Sequence, residues 1–450
     1  MRINIVLQDE TLFMEVVNKP FWRHILKTTV VPFDVVDRNE FLTDLHQRIR
    51  TITYSPGVPR RFKVSQKRNG VARFIPMFQL ADIAVYYFCV KLIEDEIAIN
   101  RIPNTFGGWR LGNAFRRLER PELEEADPPE IEYGSLASLD PLAWRRHWTD
   151  YQKAAFNLSS DPNLHFFVNF DIANFYDSIK LDRLEALVRQ VVSDAEKSSI
   201  LDLLFFFLRN CNRSLLSYFP SSLGIPQDEV GDCSRLLANF YLQEYDEKMK
   251  EISDDYGASY LRYADDHIVG VRTRSDALEL IYRSSRDLLT YGLNLNAHKV
   301  KIQTRQEFID YWAFDIMNLL GDGEQRDVET ALDLFIRRRA DQIEFRQDTV
   351  IKRLLNGEHS EIAGAVPLMT EIILDPEHVS TFSEGYLAKL CGHQPTRAHR
   401  EVCLGKLLDL SSQTIFSEYH LNLLRNAEGI GFNEDAVNRI KTNLTRVDSL

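Results

Sequence analysis

The stretch Tyr260-Leu-Arg-Tyr-Ala-Asp-Asp-His-Ile-Val-Gly-Val271 decides how this chain is read. Its two flanks, 260–263 and 268–271, are rich in aromatic and β-branched residues, so they predict two strands joined by a tight turn that carries Asp265 and Asp266. Two carboxylates at a hairpin tip project towards solvent or towards a metal. Taken alone, an ordinary turn is the stronger reading, because Asp is common in turns. A divalent-metal site for phosphoryl or nucleotidyl transfer needs at least one more carboxylate from elsewhere in the chain.

That carboxylate is supplied by Leu164-His-Phe-Phe-Val-Asn-Phe-Asp171, a nearly continuous apolar run ending in Asp171. Such a run predicts a buried strand with the aspartate at its carboxyl end, where ligands collect in sheet folds. The following Ile172-Ala-Asn-Phe-Tyr-Asp-Ser-Ile179 opens a helix expected to run to about residue 192, and Asp171 could equally cap it. Two metals about 3.5–4 Å apart, bridged by Asp171 and one hairpin aspartate, would activate a 3′-hydroxyl and stabilise a leaving pyrophosphate.

Upstream, Pro59-Arg-Arg-Phe-Lys-Val-Ser-Gln-Lys-Arg-Asn-Gly-Val-Ala-Arg-Phe-Ile-Pro76 is basic, and Asn69-Gly70 marks a hairpin turn between alternating flanks. This puts Lys67 and Arg73 on one β-ribbon suited to gripping a triphosphate, Arg by its fork and Lys as a point charge. Asn104-Thr-Phe-Gly-Gly-Trp-Arg-Leu-Gly112 is either a glycine-rich loop that lets backbone approach a ligand or a plain connection. Leu223-Gly-Ile-Pro-Gln227 leads into a helix expected over 234–248, so the Gln227 amide and the helix start could contact a nucleotide; by itself it is a turn before a helix. Beyond a helix at 275–291, Gly292-Leu-Asn-Leu-Asn-Ala-His-Lys-Val-Lys-Ile302 predicts a turn and strand carrying Lys299. A lysine there can protonate pyrophosphate if its pKa is tuned, although a solvent-exposed lysine is the default.

The chain has 450 residues, 44% hydrophobic and 27% charged, which describes a folded protein of two or three domains. No apolar run approaches a membrane span and the first residues lack a signal-peptide core, so the expectation is a cytoplasmic protein with no membrane partner. Five scattered cysteines without a Cys-x-x-Cys suit reduced thiols. Cys391, His393, His399 and Cys403 fit no defensible zinc spacing. The net charge of −12 is lopsided: residues 1–120 hold 19 Lys+Arg against 12 Asp+Glu. Between Arg48 and Arg73 stand eight basic residues and no acidic one, which repel each other unless an anion binds or solvent screens them. The acidic, proline-rich stretch at 121–132 reads as a surface linker or insertion, and from about 320 onward the chain reads as successive helices. Arg337-Arg338-Arg339 lies on the first of these, either tracking a phosphate backbone or forming a solvated face.

In this order the elements resemble the fingers and palm of a reverse transcriptase. The resemblance spans about residues 55–310 and rests on Lys67-x-x-Gly70-x-x-Arg73, Asp171 to Ile179, Gly224-Ile-Pro-Gln227, Tyr263-Ala-Asp-Asp266 and Gly292-Leu-x-Leu-Asn-x-x-Lys299. It implies an α+β fold: an antiparallel palm sheet backed by helices, with an α-helical C-terminal domain. The domains expected are 1–165 (N-terminal helices and fingers), 166–318 (palm) and 319–450 (helical thumb or C-terminal domain). It implies two Mg²⁺, with Mn²⁺ as an in vitro substitute, held by Asp171, Asp265, Asp266 and the Ile172 carbonyl. Triphosphate contacts fall to Lys67 and Arg73, a nucleotide contact to Gln227, and the acid role to Lys299.

Five residues after Asp171, Tyr176 stands where, in this resemblance, a bulky ring collides with a ribose 2′-hydroxyl and favours dNTPs. RNA-templated RNA polymerases usually have a smaller polar residue there. Asp228 follows the Pro-Gln pair where many members have glycine. The helical C-terminal region is similar to that of bacterial defence-associated and abortive-infection reverse transcriptases. The implied function is RNA-directed DNA synthesis in anti-phage defence, with dNTPs, an RNA template such as a dedicated non-coding RNA, a DNA product, and a homo-oligomer or protein partner left open. Two alternatives stand beside it: a template-independent or protein-primed DNA polymerase on the same palm, and an RNA-binding scaffold with little polymerase activity.

Overall fold

The computed structural model describes residues 5–17, 21–22, 37–67, 70–98, 101–108, 111, 143–211, 224–227, 232–321 and 326–448. The acidic stretch at 121–132, Leu223 and Asp228 lie outside the described residues, as do Trp109, Arg110 and Gly112 of the glycine-rich loop. Among the described residues no helix is long and apolar enough to cross a membrane. The fold is α+β, and its chain divides into two compact units, Met1–Arg61 with Pro76–Arg305 and Phe62–Ile75 with Gln306–Leu450.

The first unit is built around a five-stranded sheet, β3 (Thr105–Phe106), β4 (Phe166–Asp171), β5 (Ser259–Tyr263), β6 (Asp266–Val271) and β7 (Lys301–Thr304), in the order β3-β5-β6-β4-β7. The apolar run ending in Asp171 becomes an interior strand, antiparallel to both β6 and β7, so both its backbone edges are paired, and Phe167, Val168, Phe170 and Asp171 are buried. Helices back it. Leu80–Ala98 is apolar on most sides because it is buried on most sides, with Ile83, Tyr86, Phe88, Val90 and Ile93 all in the core. Ser198–Asn210 and Asp232–Tyr241 pack beside it, and the core they share continues through Val168 and Val269 of the sheet. N-terminal helices and palm thus share one hydrophobic core.

Two helices expected as single elements are broken. The one after Asp171 stops at Ser178 and resumes at Leu181, because Ile179 turns extended (φ −62°, ψ 123°). The one near 234–248 is split at Leu242 into Asp232–Tyr241 and Gln243–Asp255. Arg274–Thr290 starts one residue before its expected position because Thr273 and Asp276 form a capping box.

The second unit is helical, from Arg305–Trp312 at its edge to Glu434–Asp448, around a separate core that includes Phe335, Val350, Met369, Leu387, Leu407 and Ile440. Arg338, from the run of three arginines, is neither solvated nor exposed: it is buried and paired with Asp310 at 2.8 Å and Asp315 at 2.9 Å. The basic hairpin β1 (Arg61–Gln66) and β2 (Ala72–Met77) belongs largely to this unit. Long-range contacts hold it there: Ser417 Oγ accepts from the Val64 amide at 2.8 Å, and Lys63 pairs with Glu418 at 3.2 Å.

Candidate active site

The Asp-Asp hairpin closes more tightly than its sequence indicates. Tyr263 pairs with Asp266, leaving only Ala264 and Asp265 as the turn. Asp266 is therefore a strand residue, and on its other side it stands directly opposite Asp171 in the β4–β6 ladder. Cα atoms at such positions are about 4.5–5.5 Å apart, so the two carboxylates rise from neighbouring points of one sheet end. Ala264 sits at φ 53°, a region that costs a non-glycine residue and is kept only where surroundings enforce it.

Asp171 does not cap the following helix; Asn174 occupies that position. Its carboxylate Oδ2 instead accepts from Asn296 Nδ2 at 3.1 Å and pairs with Lys299 Nζ at 2.9 Å. The backbone enforces this meeting. Asn296 N donates to the Asp171 carbonyl at 2.7 Å, Ile172 bridges Leu295, and Ala173 N donates to the Asn294 carbonyl at 2.8 Å. Asn296 was legible only as the Asn of the Leu-Asn-x-x-Lys spacing, and sequence reasoning assigned it nothing.

The electrostatics are those of crowded negative charge. Burial, then the charges of Asp266 and Asp171, push the Asp265 carboxyl up to about 7. Lys299 moves in the other sense: burial alone would lower it, but its hydrogen bond to Asp171 and the charges of all three aspartates hold it above the usual lysine range. Among the described residues no three His, Cys, Asp or Glu side chains stand in ligating arrangement. The donor set still fits hard divalent cations, which take carboxylate and carbonyl oxygens and would relieve the repulsion that raises Asp265.

Beneath the turn lies a polar network that sequence reasoning missed. Arg262 and Asp246 are buried, 0% and 1% exposed, and paired, Arg262 Nε donating to Asp246 Oδ1 at 2.6 Å. Tyr260 OH donates to the same oxygen at 2.8 Å. Arg262 Nη1 donates to Asn239 Oδ1 and to the Ala264 carbonyl, both at 2.8 Å. His267 Nδ1 contacts the Asp265 carbonyl at 2.9 Å, and its ring stacks on Phe170 with centroids 4.6 Å apart. Burial, with Arg262 nearby, holds His267 well below its usual pKa, so it is neutral at neutral pH.

Residues 122–318 match the family described as Reverse transcriptase (RNA-dependent DNA polymerase). Within this chain, 122–318 is the reverse transcriptase-like region. The match indicates an RNA-directed DNA polymerase, a nucleotidyltransferase, and reverse transcriptase domains are in general divalent-metal dependent. No curated protein matches the chain in sequence. Among solved structures, an apo telomerase from Candida tropicalis is similar at a TM-score of 0.34 and 12% identity, over 95% of this chain and 74% of that one. The Candida tropicalis telomerase in complex with a TWJ fragment of telomeric RNA gives 0.34 and 11%, over 90% and 68%. Its Candida albicans counterpart gives 0.30 and 9%, over 91% and 68%.

The other expected residues divide into two groups. Tyr176 and the Gly224-Ile-Pro-Gln227 stretch are brought together, with Ile225 N donating to the Tyr176 carbonyl at 3.1 Å. Gly224 makes this possible, because a Cβ there would lie 2.0 Å from that carbonyl oxygen and 2.6 Å from Asp177 Cα. Gln227 follows, half-buried. Lys67 and Arg73 are on the β1–β2 hairpin of the second unit, where Lys67 N donates to the Val71 carbonyl at 2.7 Å.

The glycine-rich loop has its own explanation. Gly107, at φ 119°, packs its backbone against Asn239 and the Ala264 amide, so its close approach is to the hairpin turn. Cys391 and Cys403 meet with Sγ atoms 3.8 Å apart, but His393 contacts the Leu355 carbonyl and His399 contacts Thr396. Those four residues do not form one site.

Proposed function

We propose that this chain is a bacterial, cytoplasmic reverse transcriptase that copies an RNA template into DNA from dNTPs with Mg²⁺, and that it acts in anti-phage defence. The observation that carries the polymerase reading is the cross-strand pairing of Asp171 with Asp266, with Asp265 in the adjoining two-residue turn. Asp171, Asp265, Asp266 and the Ile172 carbonyl would hold two Mg²⁺. When bound, these supply an activated 3′-hydroxyl and neutralise charge on the leaving pyrophosphate.

The remaining roles fall to the chain's own side chains. Lys299 supplies a counter-charge beside Asp171 and is the candidate donor of a proton to the leaving group. Tyr176, whose carbonyl accepts from the Ile225 amide, would exclude a 2′-hydroxyl. Lys67 and Arg73 offer phosphate-binding chemistry on their hairpin. Support for the defence role is the helical C-terminal unit, the feature on which the resemblance to that lineage rests.

The reading is tested by sequencing nucleic acid that co-purifies with the chain, before and after incubation with dNTPs and Mg²⁺. DNA complementary to a co-purifying RNA, such as a dedicated non-coding RNA, is the expected product. DNA without a complement indicates template-independent or protein-primed synthesis, and RNA with no DNA product indicates a scaffold. Phage plating on bacteria expressing wild type or an Asp265→Asn/Asp266→Asn variant tests defence separately, with protection expected from wild type alone.

A further inference from the structure

We propose that Arg262 and His267 are positioning residues of the active-site turn: together they hold the two peptide units that flank Asp265, and so aim its carboxylate at the cation site. The proposal rests on the reading of the three aspartates as cation ligands.

Arg262 and His267 are direct partners across the β5–β6 ladder, so their side chains leave the same face of the hairpin. Arg262 Nη1 donates to the Ala264 carbonyl at 2.8 Å. His267 Nδ1 meets the Asp265 carbonyl at 2.9 Å, which requires the proton on that nitrogen. Each carbonyl belongs to a planar peptide unit. The first plane carries the Asp265 amide and the second carries the Asp266 amide, so fixing both fixes the backbone of Asp265 from either side. The turn requires such support, because Ala264 adopts φ 53° without being glycine.

Both holders are themselves immobilised. The Arg262 fork is anchored by Asp246 and Asn239, and Asn239 Nδ2 donates in turn to the Gly108 carbonyl at 2.9 Å. The His267 ring is stacked 10° from parallel on Phe170, the neighbour of Asp171, and meets Tyr245 edge-on. A buried Arg–Asp pair and a stacked histidine are often only core filling. What separates this arrangement from filling is where the leftover donors go: one from each residue is spent on consecutive carbonyls of the catalytic turn.

The test is the affinity of the full chain for Mn²⁺ alone, read from the paramagnetic signal of the unbound ion, in wild type, His267→Phe and His267→Asn. Phe keeps the ring on Phe170 and removes the donor, whereas Asn keeps a donor and removes the ring. Positioning predicts Mn²⁺ binding weakened about tenfold in the Phe variant, with the Asn variant closer to wild type although less heat-stable. Packing alone predicts the reverse order.

Wild-type affinity in the Phe variant, or weaker binding in the Asn variant than in the Phe variant, would overturn the proposal. Should the Phe variant not fold, Arg262→Lys keeps the charge facing Asp246 and loses the fork. It is expected to weaken Mn²⁺ about tenfold as well, and wild-type affinity there would equally overturn the proposal. A wild-type chain that binds no Mn²⁺ overturns the cation-site reading and this proposal with it. One that binds Mn²⁺ yet incorporates no dNTP counts against the polymerase reading alone.

Discussion

Lys299 Nζ lies 2.9 Å from Oδ2 of Asp171, so one ligand of the expected cation site already carries a positive partner. That partner competes with a cation for the carboxylate and also stands where a proton donor is wanted. Lys299→Ala should therefore split two measurements. Mn²⁺ affinity should rise roughly three- to tenfold, the modest amount expected of a partly exposed ion pair. The maximal rate of dNTP incorporation should fall about 100-fold or more, the usual contribution of a positioned acid. A fall in both would mean that Lys299 helps to build the site.

Gly224 and Tyr176 are linked by a contact that has no room for a side chain, the Cβ position lying 2.0 Å from the Tyr176 carbonyl oxygen. Gly224→Ala must displace backbone, at a cost of about 1–3 kcal/mol by analogy with overpacked cores. Because the displaced residue is Tyr176, the same variant should raise ribonucleotide incorporation relative to dNTP incorporation, in the direction of Tyr176→Ala. Competition assays with the two nucleotide types measure this, and an unchanged ratio in Tyr176→Ala would remove the gating role.

The Asp246–Arg262 pair is fully buried, and removing one member strands the other. Asp246→Ala should destabilise the chain by about 3–5 kcal/mol in denaturant unfolding. A loss below ~1 kcal/mol would mean that water reaches the site and that the pair is not the anchor described.

In the helix Leu80–Ala98, Asp82 offers a pH signature. Burial is the largest influence and raises its pKa to about 6, although Tyr54 OH at 2.8 Å and the Gly57 amide at 3.0 Å both favour the charged form. With the folded value above the unfolded 3.8, the native state binds more protons between them. Asp82 thus contributes stability that is full below pH ~4 and is lost as pH rises through about 6. Wild type should lose roughly 1–3 kcal/mol relative to Asp82→Asn over that window in unfolding titrations. A pH-independent difference between the two proteins would contradict this.

Local pattern made the palm legible. Alternation and turn chemistry located β5, β6 and the basic hairpin, and the apolar run located β4 with Asp171 at its end. The resemblance to a reverse transcriptase followed from the order of these motifs, since no single one specifies it. What stayed hidden depends on contacts between distant segments. Nothing in the flanking sequence says that Asp266 is a strand residue facing Asp171, or that Ser417 and Glu418 tie down a hairpin some 350 residues earlier. Arg262 and His267 looked like ordinary strand residues because their roles are set by burial and by the carbonyls above them. The break at Ile179 was illegible for a related reason, as tertiary packing overrode a helical pattern.

The central claim is that Asp171, Asp265 and Asp266 form the cation-binding centre of a DNA polymerase. The most direct test is Mg²⁺-dependent incorporation of labelled dNTP on a primed RNA template by wild type and by the Asp265→Asn/Asp266→Asn variant, each first checked for folding by thermal melting. The account predicts incorporation by wild type and a loss of about 1,000-fold or more in a variant that melts cooperatively. Undiminished DNA synthesis by the folded variant would contradict it.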